Sequence, residues 1–114
     1  MLSERYPVLW VGRAAVISAP VEIDVTNADD LGSCLASAIT SGAQALIVDM
    51  TRTTFCDCAG VQAIVACRMK GAAAGISVRL AVRDPAVKHV FAMTGAARLI
   101  GIRDTVADAL MGED

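Results

Sequence analysis

With 114 residues, the chain has room for one compact domain and too few residues for two. An apolar fraction of 55% against 19% charged residues excludes a disordered tail, and aromatics at only 4% leave the core to Val, Ile, Leu, Ala and Met. The net charge of −2 comes from 10 basic and 12 acidic residues that are interspersed, which excludes an electrostatic grip on nucleic acid or anionic lipid.

No apolar run reaches the ~20 residues that a membrane span needs. The start, with Glu4 and Arg5 ahead of Pro7, lacks the basic stretch and apolar core of a signal peptide. A cytoplasmic location is therefore expected, with Cys34, Cys56, Cys58 and Cys67 as thiols. There is no C-x-x-C pair and His89 is the single histidine, so no metal and no cofactor are expected. The excess of Arg over Lys, with abundant Ala, Gly and Val, points to a GC-rich bacterial genome.

Val8-Leu9-Trp10-Val11 and Ala14-Ala15-Val16-Ile17 are short apolar runs separated by Gly12-Arg13. That spacing predicts an antiparallel hairpin, with Pro20 beyond its second strand. Thr26 or Asn27 is suited to cap a helix running to about Thr40, with Asp29 and Asp30 in its first turn. Ala28, Leu31, Leu35, Ala38 and Ile39 form its apolar stripe, and Gly42 closes it. Cys34 falls on the flank of that stripe and reads as core.

Ala45-Leu46-Ile47-Val48 is a continuous apolar run, the pattern of a central parallel strand covered on both faces. Asp57 is placed to cap a second helix from Cys58 to Ala74, ended by Gly75, with Val61, Ile64 and Val65 inward. Cys56 sits on a strand end as core. Cys67 lies too far along the helix to bridge to Cys58, and a Cys34–Cys67 contact between neighbouring helices is conceivable.

Val78–Val82 predicts a further strand. Asp84-Pro85 opens a third helix, with Val87, Val90 and Phe91 inward and Gly95 at its end. Leu99-Ile100 predicts a short last strand, and Asp104 a cap for a final helix through Leu110. The order is ββαβαβαβα. It implies an α/β fold with a mixed, mostly parallel sheet of about four or five strands and about four helices.

Three stretches carry a resemblance. Pro20–Leu31 reads P-V-E-I-D-V-T-N-A-D-D-L; Ile47-Val48-Asp49-Met50 is followed by Thr54-Phe55-Cys56-Asp57-Cys58-Ala59-Gly60-Val61; and Asp84-Pro85-Ala86-Val87-Lys88 leads to Phe91, Met93, Thr94 and Gly95. In order and spacing these resemble the STAS domain family, of the bacterial anti-sigma factor antagonist type. The matching positions extend from about Val8 to Leu110.

The resemblance implies a single STAS domain. It also implies a regulator that binds an anti-sigma factor, a kinase-type ATPase, and so releases a sigma factor for transcription. In such relatives the Ser directly after the motif Asp is phosphorylated by the anti-sigma factor. Here that position is Cys58, the second Ser/Thr position is Ala59, and neither side chain can accept phosphate from a serine kinase. Asp24, Thr26, Asn27, Asp57, Cys58, Ala59, Gly60 and Val61 are the expected partner-binding residues, with Gly60 expected to be exposed.

Asp57 also reads simply as a helix cap and Asp24 as a solvated loop carboxylate. Cys58 reads either as a small isostere of serine or as a redox-sensitive thiol whose oxidation would add negative charge. A thiol enzyme lacks a base: Asp57 is adjacent and His89 is far along the chain and expected in solvent, so no enzymatic activity is expected. Arg52 with Thr51, Thr53 and Thr54 makes a polar loop with weak potential to hold an anion. The second function class is an accessory STAS subunit of a transport or signalling complex, not switched by phosphorylation.

Overall fold

A computed structural model describes residues 6–112, so Glu4 and Arg5 lie outside the described residues. The opening hairpin forms as predicted. β1 (Val8–Val11) pairs antiparallel with β2 (Ala14–Ser18), Val11 opposite Ala14 and Val8 opposite Ile17. The polypeptide then passes through β3 (Glu22–Ile23) into α1 (Ala28–Thr40). β4 (Ala45–Met50), β5 (Phe55–Cys56) and α2 (Cys58–Ala73) follow, and then β6 (Ser77–Val82) and α3 (Pro85–Met93). A 3₁₀ turn (Ala96–Arg98), β7 (Gly101–Arg103) and α4 (Val106–Met111) complete the order.

The main sheet has the order β1-β2-β4-β6-β7, and every pairing after the hairpin is parallel. Its two faces are unequal. On one, Ile17, Leu46, Val48 and Leu80 pack against Leu31 and Leu35 of α1, Ile64 of α2 and Phe91 of α3, and all are fully buried. On the other, Val16, Ile47 and Ala81 are covered by Ala109, Val106 and Leu110 of α4. Cys34 replaces Ile39 in the buried stripe of α1, where Ile39 is only partly covered. Cys34 and Cys67 are separate buried thiols.

Two expectations near the chain's end are corrected. The last strand is Gly101–Arg103, not Leu99-Ile100. Gly95 takes the left-handed conformation at φ 81°, which costs a residue with a side chain, and so turns the chain into the 3₁₀ turn that consumes Ala96–Arg98. Asp104 does not cap α4. Thr105 does, its Oγ1 accepting from the N–H of Asp108 at 3.0 Å, while Asp104 pairs with Lys88 of α3. That ion pair holds the Asp104 carboxyl below the usual carboxylate range.

Arg79 also escaped the sequence reading. It is buried on β6, under α4, with Nε donating to Ser77 Oγ at 3.0 Å and Nη1 to the Ala109 carbonyl at 2.6 Å and to the Gly112 carbonyl. Carbonyls at a helix C-terminus lack intrahelical partners, so a buried guanidinium suits them.

Candidate functional site

The site is built where two loops are tied together. β3 and β5 pair parallel as a separate small sheet, Glu22 opposite Phe55 and Ile23 opposite Cys56. The residues that follow, Asp24 and Asp57, are therefore neighbours in space. The N–H of Asp57 donates to the Ile23 carbonyl at 3.1 Å, and that of Thr54 to the Val21 carbonyl at 2.8 Å.

Asp57 caps α2 as expected. Its backbone is extended (φ −93°, ψ −174°) and its Oδ1 accepts from the N–H of Gly60 at 3.0 Å. Asp24 is occupied within its own loop: Oδ1 accepts from the N–H of Thr26 at 2.9 Å and from the Thr26 hydroxyl. The hydroxyl, then the amide, holds the Asp24 carboxyl below the usual carboxylate range. Asn27 stands at the N-cap position of α1 but does not cap it with its side chain. Its Oδ1 accepts from the N–H of Asp24 at 3.0 Å and its Nδ2 donates to the Glu22 carbonyl at 2.8 Å. Asn27 thus staples β3 to the start of α1.

The eight expected residues divide by exposure. Thr26 and Cys58 are exposed; Asp24, Asn27, Asp57 and Ala59 are half-buried; Gly60 and Val61 are buried. The expected exposure of Gly60 is overturned. A Cβ at Gly60 would lie 2.6 Å from Cγ2 of Ile23 and 2.7 Å from Sγ of Cys56, so the absent side chain is what lets α2 sit against the β3–β5 pair. In the polar loop before β5, two of the four polar side chains are engaged within the protein. Thr51 Oγ1 donates to Asp49 at 2.7 Å and Thr53 Oγ1 to the Pro20 carbonyl at 2.8 Å, which commits both hydroxyls to the protein.

Sequence reasoning missed an apolar groove of about 420 Å³ that opens beside Cys58. Cys58, Gln62, Val65 and Met69 line one wall along α2, and Thr94 and Leu99 the other. Met69 is 67% exposed, Leu99 57% and the nearby-in-sequence Met93 73%. The signal was present: Cys58, Gln62, Val65 and Met69 recur at helical spacing on α2, beside Val61, which also lines the groove.

The four thiols are unlike. Burial pushes Cys56 up to about 12, with the charges at Asp57 and Cys58 adding to it, and pushes Cys67 up to about 11 against the opposing pull of Lys70. Burial raises Cys34 as well. Only Cys58 is exposed. One thiol per native chain is expected to react with a brief pulse of iodoacetamide at about pH 8, and the other three only in denaturant. Intact mass before and after unfolding measures this, and two or more labels on the folded chain would contradict it.

A family model described as the STAS domain matches residues 8–109. The chain belongs to the STAS domain family. No curated protein matches its sequence. Among solved structures, the anti-sigma factor antagonist SpoIIAA in its unphosphorylated form is 27% identical, with 92% of each chain covered and a TM-score of 0.72. An anti-sigma factor antagonist from Mycobacterium paratuberculosis is 23% identical over 97% of each chain, with a TM-score of 0.83. The murine Slc26a9 anion transporter contains the same fold: 89% of this chain aligns to 18% of that one at 15% identity, with a TM-score of 0.73. The mixed five-stranded sheet and four helices are thus those of the STAS fold. No helix among the described residues is long and apolar enough to cross a membrane.

Proposed function

We propose that this STAS domain is an anti-sigma factor antagonist. It docks onto an anti-sigma factor of the kinase-type ATPase class through the exposed start of α2 and the groove beside it, and so frees a sigma factor for transcription. The observation that carries the reading is the place of Cys58. It stands exposed at the first turn of a helix capped by Asp57, where the family motif has its phosphoacceptor serine. The apolar groove that begins at Cys58 supplies surface a partner can desolvate, and large exposed apolar patches mark interaction sites.

In this reading the usual phosphate switch is gone. A phosphate at the start of α2 would place about two negative charges beside Asp57, tolerated by the helix dipole and repelled by an acidic partner surface. A thiol takes no phosphate from a serine kinase, and Ala59 offers no hydroxyl. Incubation with kinase-type anti-sigma factors and ATP is expected to leave the segment from Phe55 to Arg68 unmodified by mass spectrometry. Cys58→Ser is expected to become a substrate. Stoichiometric phosphate on the wild-type segment would overturn the loss of the switch.

The same fold inside an anion transporter favours a second reading, an accessory module of a transport complex. Capture of the full chain from its native cell separates the two: an anti-sigma factor supports the first, transporter subunits the second.

A further inference from the structure

β1 is an outer strand of the main sheet, so one of its edges faces β2 and the other does not. Its four residues are all large and apolar, and all are exposed: Val8 46%, Leu9 63%, Trp10 48% and Val11 43%. Proteins guard such edges with a charge or proline within the strand, a bulge, or a covering element. β1 pairs with β2 in unbroken register, carries no charge, and is left open by the described residues. The opposite edge is guarded. β7 is only three residues long and ends in Arg103.

The ladder shows which backbone groups are open. The Pro7 carbonyl accepts from the N–H of Ser18 at 3.0 Å, so Pro7 turns its polar side toward β2. Its missing N–H therefore costs the outer edge nothing. The alternation of an antiparallel ladder then gives the N–H and C=O of Leu9 and Val11 to β2 and turns those of Val8 and Trp10 outward. The side chains divide the other way. Leu9 and Val11 lie on the side of the sheet where α4 covers Val16, and Val8 and Trp10 on the side of the main core.

We propose that β1 is the docking surface for a second copy of this chain. The two strands pair antiparallel about a two-fold axis at Leu9 and join two five-stranded sheets into one. In that register Val8 faces Trp10 of the second copy, and Trp10 faces its Val8. Each outward N–H and C=O of these residues is then used once, and the two Leu9 side chains meet on the axis. A two-fold interface must be self-complementary. This strand is: all four residues are apolar, so no register about the axis sets like charges against each other. A second copy therefore meets an edge that matches its own in polarity and in hydrogen-bonding groups.

The chain carries its own reporter, because Trp10 is its single tryptophan. Sedimentation equilibrium of the full chain is expected to show a monomer–dimer equilibrium. Trp10 emission should shift to the blue over the same concentrations. Leu9→Lys and Leu9→Glu should each weaken self-association by roughly tenfold or more, because like charges then oppose across the axis. An equal mixture of the two variants should associate as tightly as the wild type or tighter. Leu9 is 63% exposed, so circular dichroism should show both variants folded. A wild type that stays monomeric at about 1 mM overturns the proposal. So does association undiminished in both variants, or a mixture no tighter than either alone.

Discussion

Gly60→Ala is expected to destabilise the domain by about 1–3 kcal/mol, and Gly60→Leu by enough to leave little folded protein. The cause is packing at the foot of α2. The Cβ of an alanine would sit 2.6 Å from Ile23 Cγ2 and 2.7 Å from Cys56 Sγ. Neither neighbour yields easily. Ile23 is fully buried in the β3–β5 pair, and Cys56 is buried opposite it. Relief must come from moving α2, which carries Ile64 and Cys67 into the core. The urea midpoint of Gly60→Ala should fall by on the order of 1 M, since small domains lose about 1–3 kcal/mol per molar urea. A midpoint equal to wild type would mean that the helix slides without cost. Loss of partner binding in Gly60→Leu therefore reports on folding and cannot map the interface.

Cys58→Asp is expected to leave the fold intact and to weaken binding to the anti-sigma factor by well over tenfold. On the free protein the two electrostatic effects nearly cancel. The N-terminus of α2 favours a carboxylate by ~0.3–1 kcal/mol, and Asp57 next door opposes it by a similar amount. Cys58 is exposed, so the new carboxylate keeps its water. Docking through the proposed surface would remove that water. A carboxylate desolvated without a cationic partner costs several kcal/mol, and each ~1.4 kcal/mol is tenfold in affinity. Cys58→Ser and Cys58→Ala should bind nearly as wild type. Calorimetry with all three variants decides this, with circular dichroism as the folding control. Equal affinity of Cys58→Asp and wild type would place the interface elsewhere.

Four of the five strands of the main sheet were legible because they announce themselves by apolar runs, whereas β7, Gly101-Ile102-Arg103, has none and was placed at Leu99-Ile100. Val16, Ile17, Leu46, Ile47 and Val48 can only be covered on both faces, and they are. Helix starts were legible where one carboxylate does one job, as at Asp57 and Asp84. They were misread where local hydrogen bonds compete. Asn27 spends its side chain on β3, and Asp104 is drawn to Lys88 and leaves the cap to Thr105. The β3–β5 pair is two residues long on each side, too short for any period to register. It nevertheless sets the site, because it brings Asp24 and Asp57 together and buries Gly60. The α2 wall of the groove beside Cys58 is visible as helical spacing, but the groove itself needs α2 and the 3₁₀ turn to meet, which is long-range packing that no local pattern encodes.

The most direct test of the proposed role is transcription in vitro by RNA polymerase with a sigma factor held off by the kinase-type anti-sigma factor of the native cell. Adding the purified chain in near-equal amount to the anti-sigma factor should restore transcription, with ATP present or absent, because Cys58 cannot be switched off by phosphate. Cys58→Asp should restore far less at the same concentration. Transcription that stays repressed at a large excess of folded wild-type chain would contradict the role.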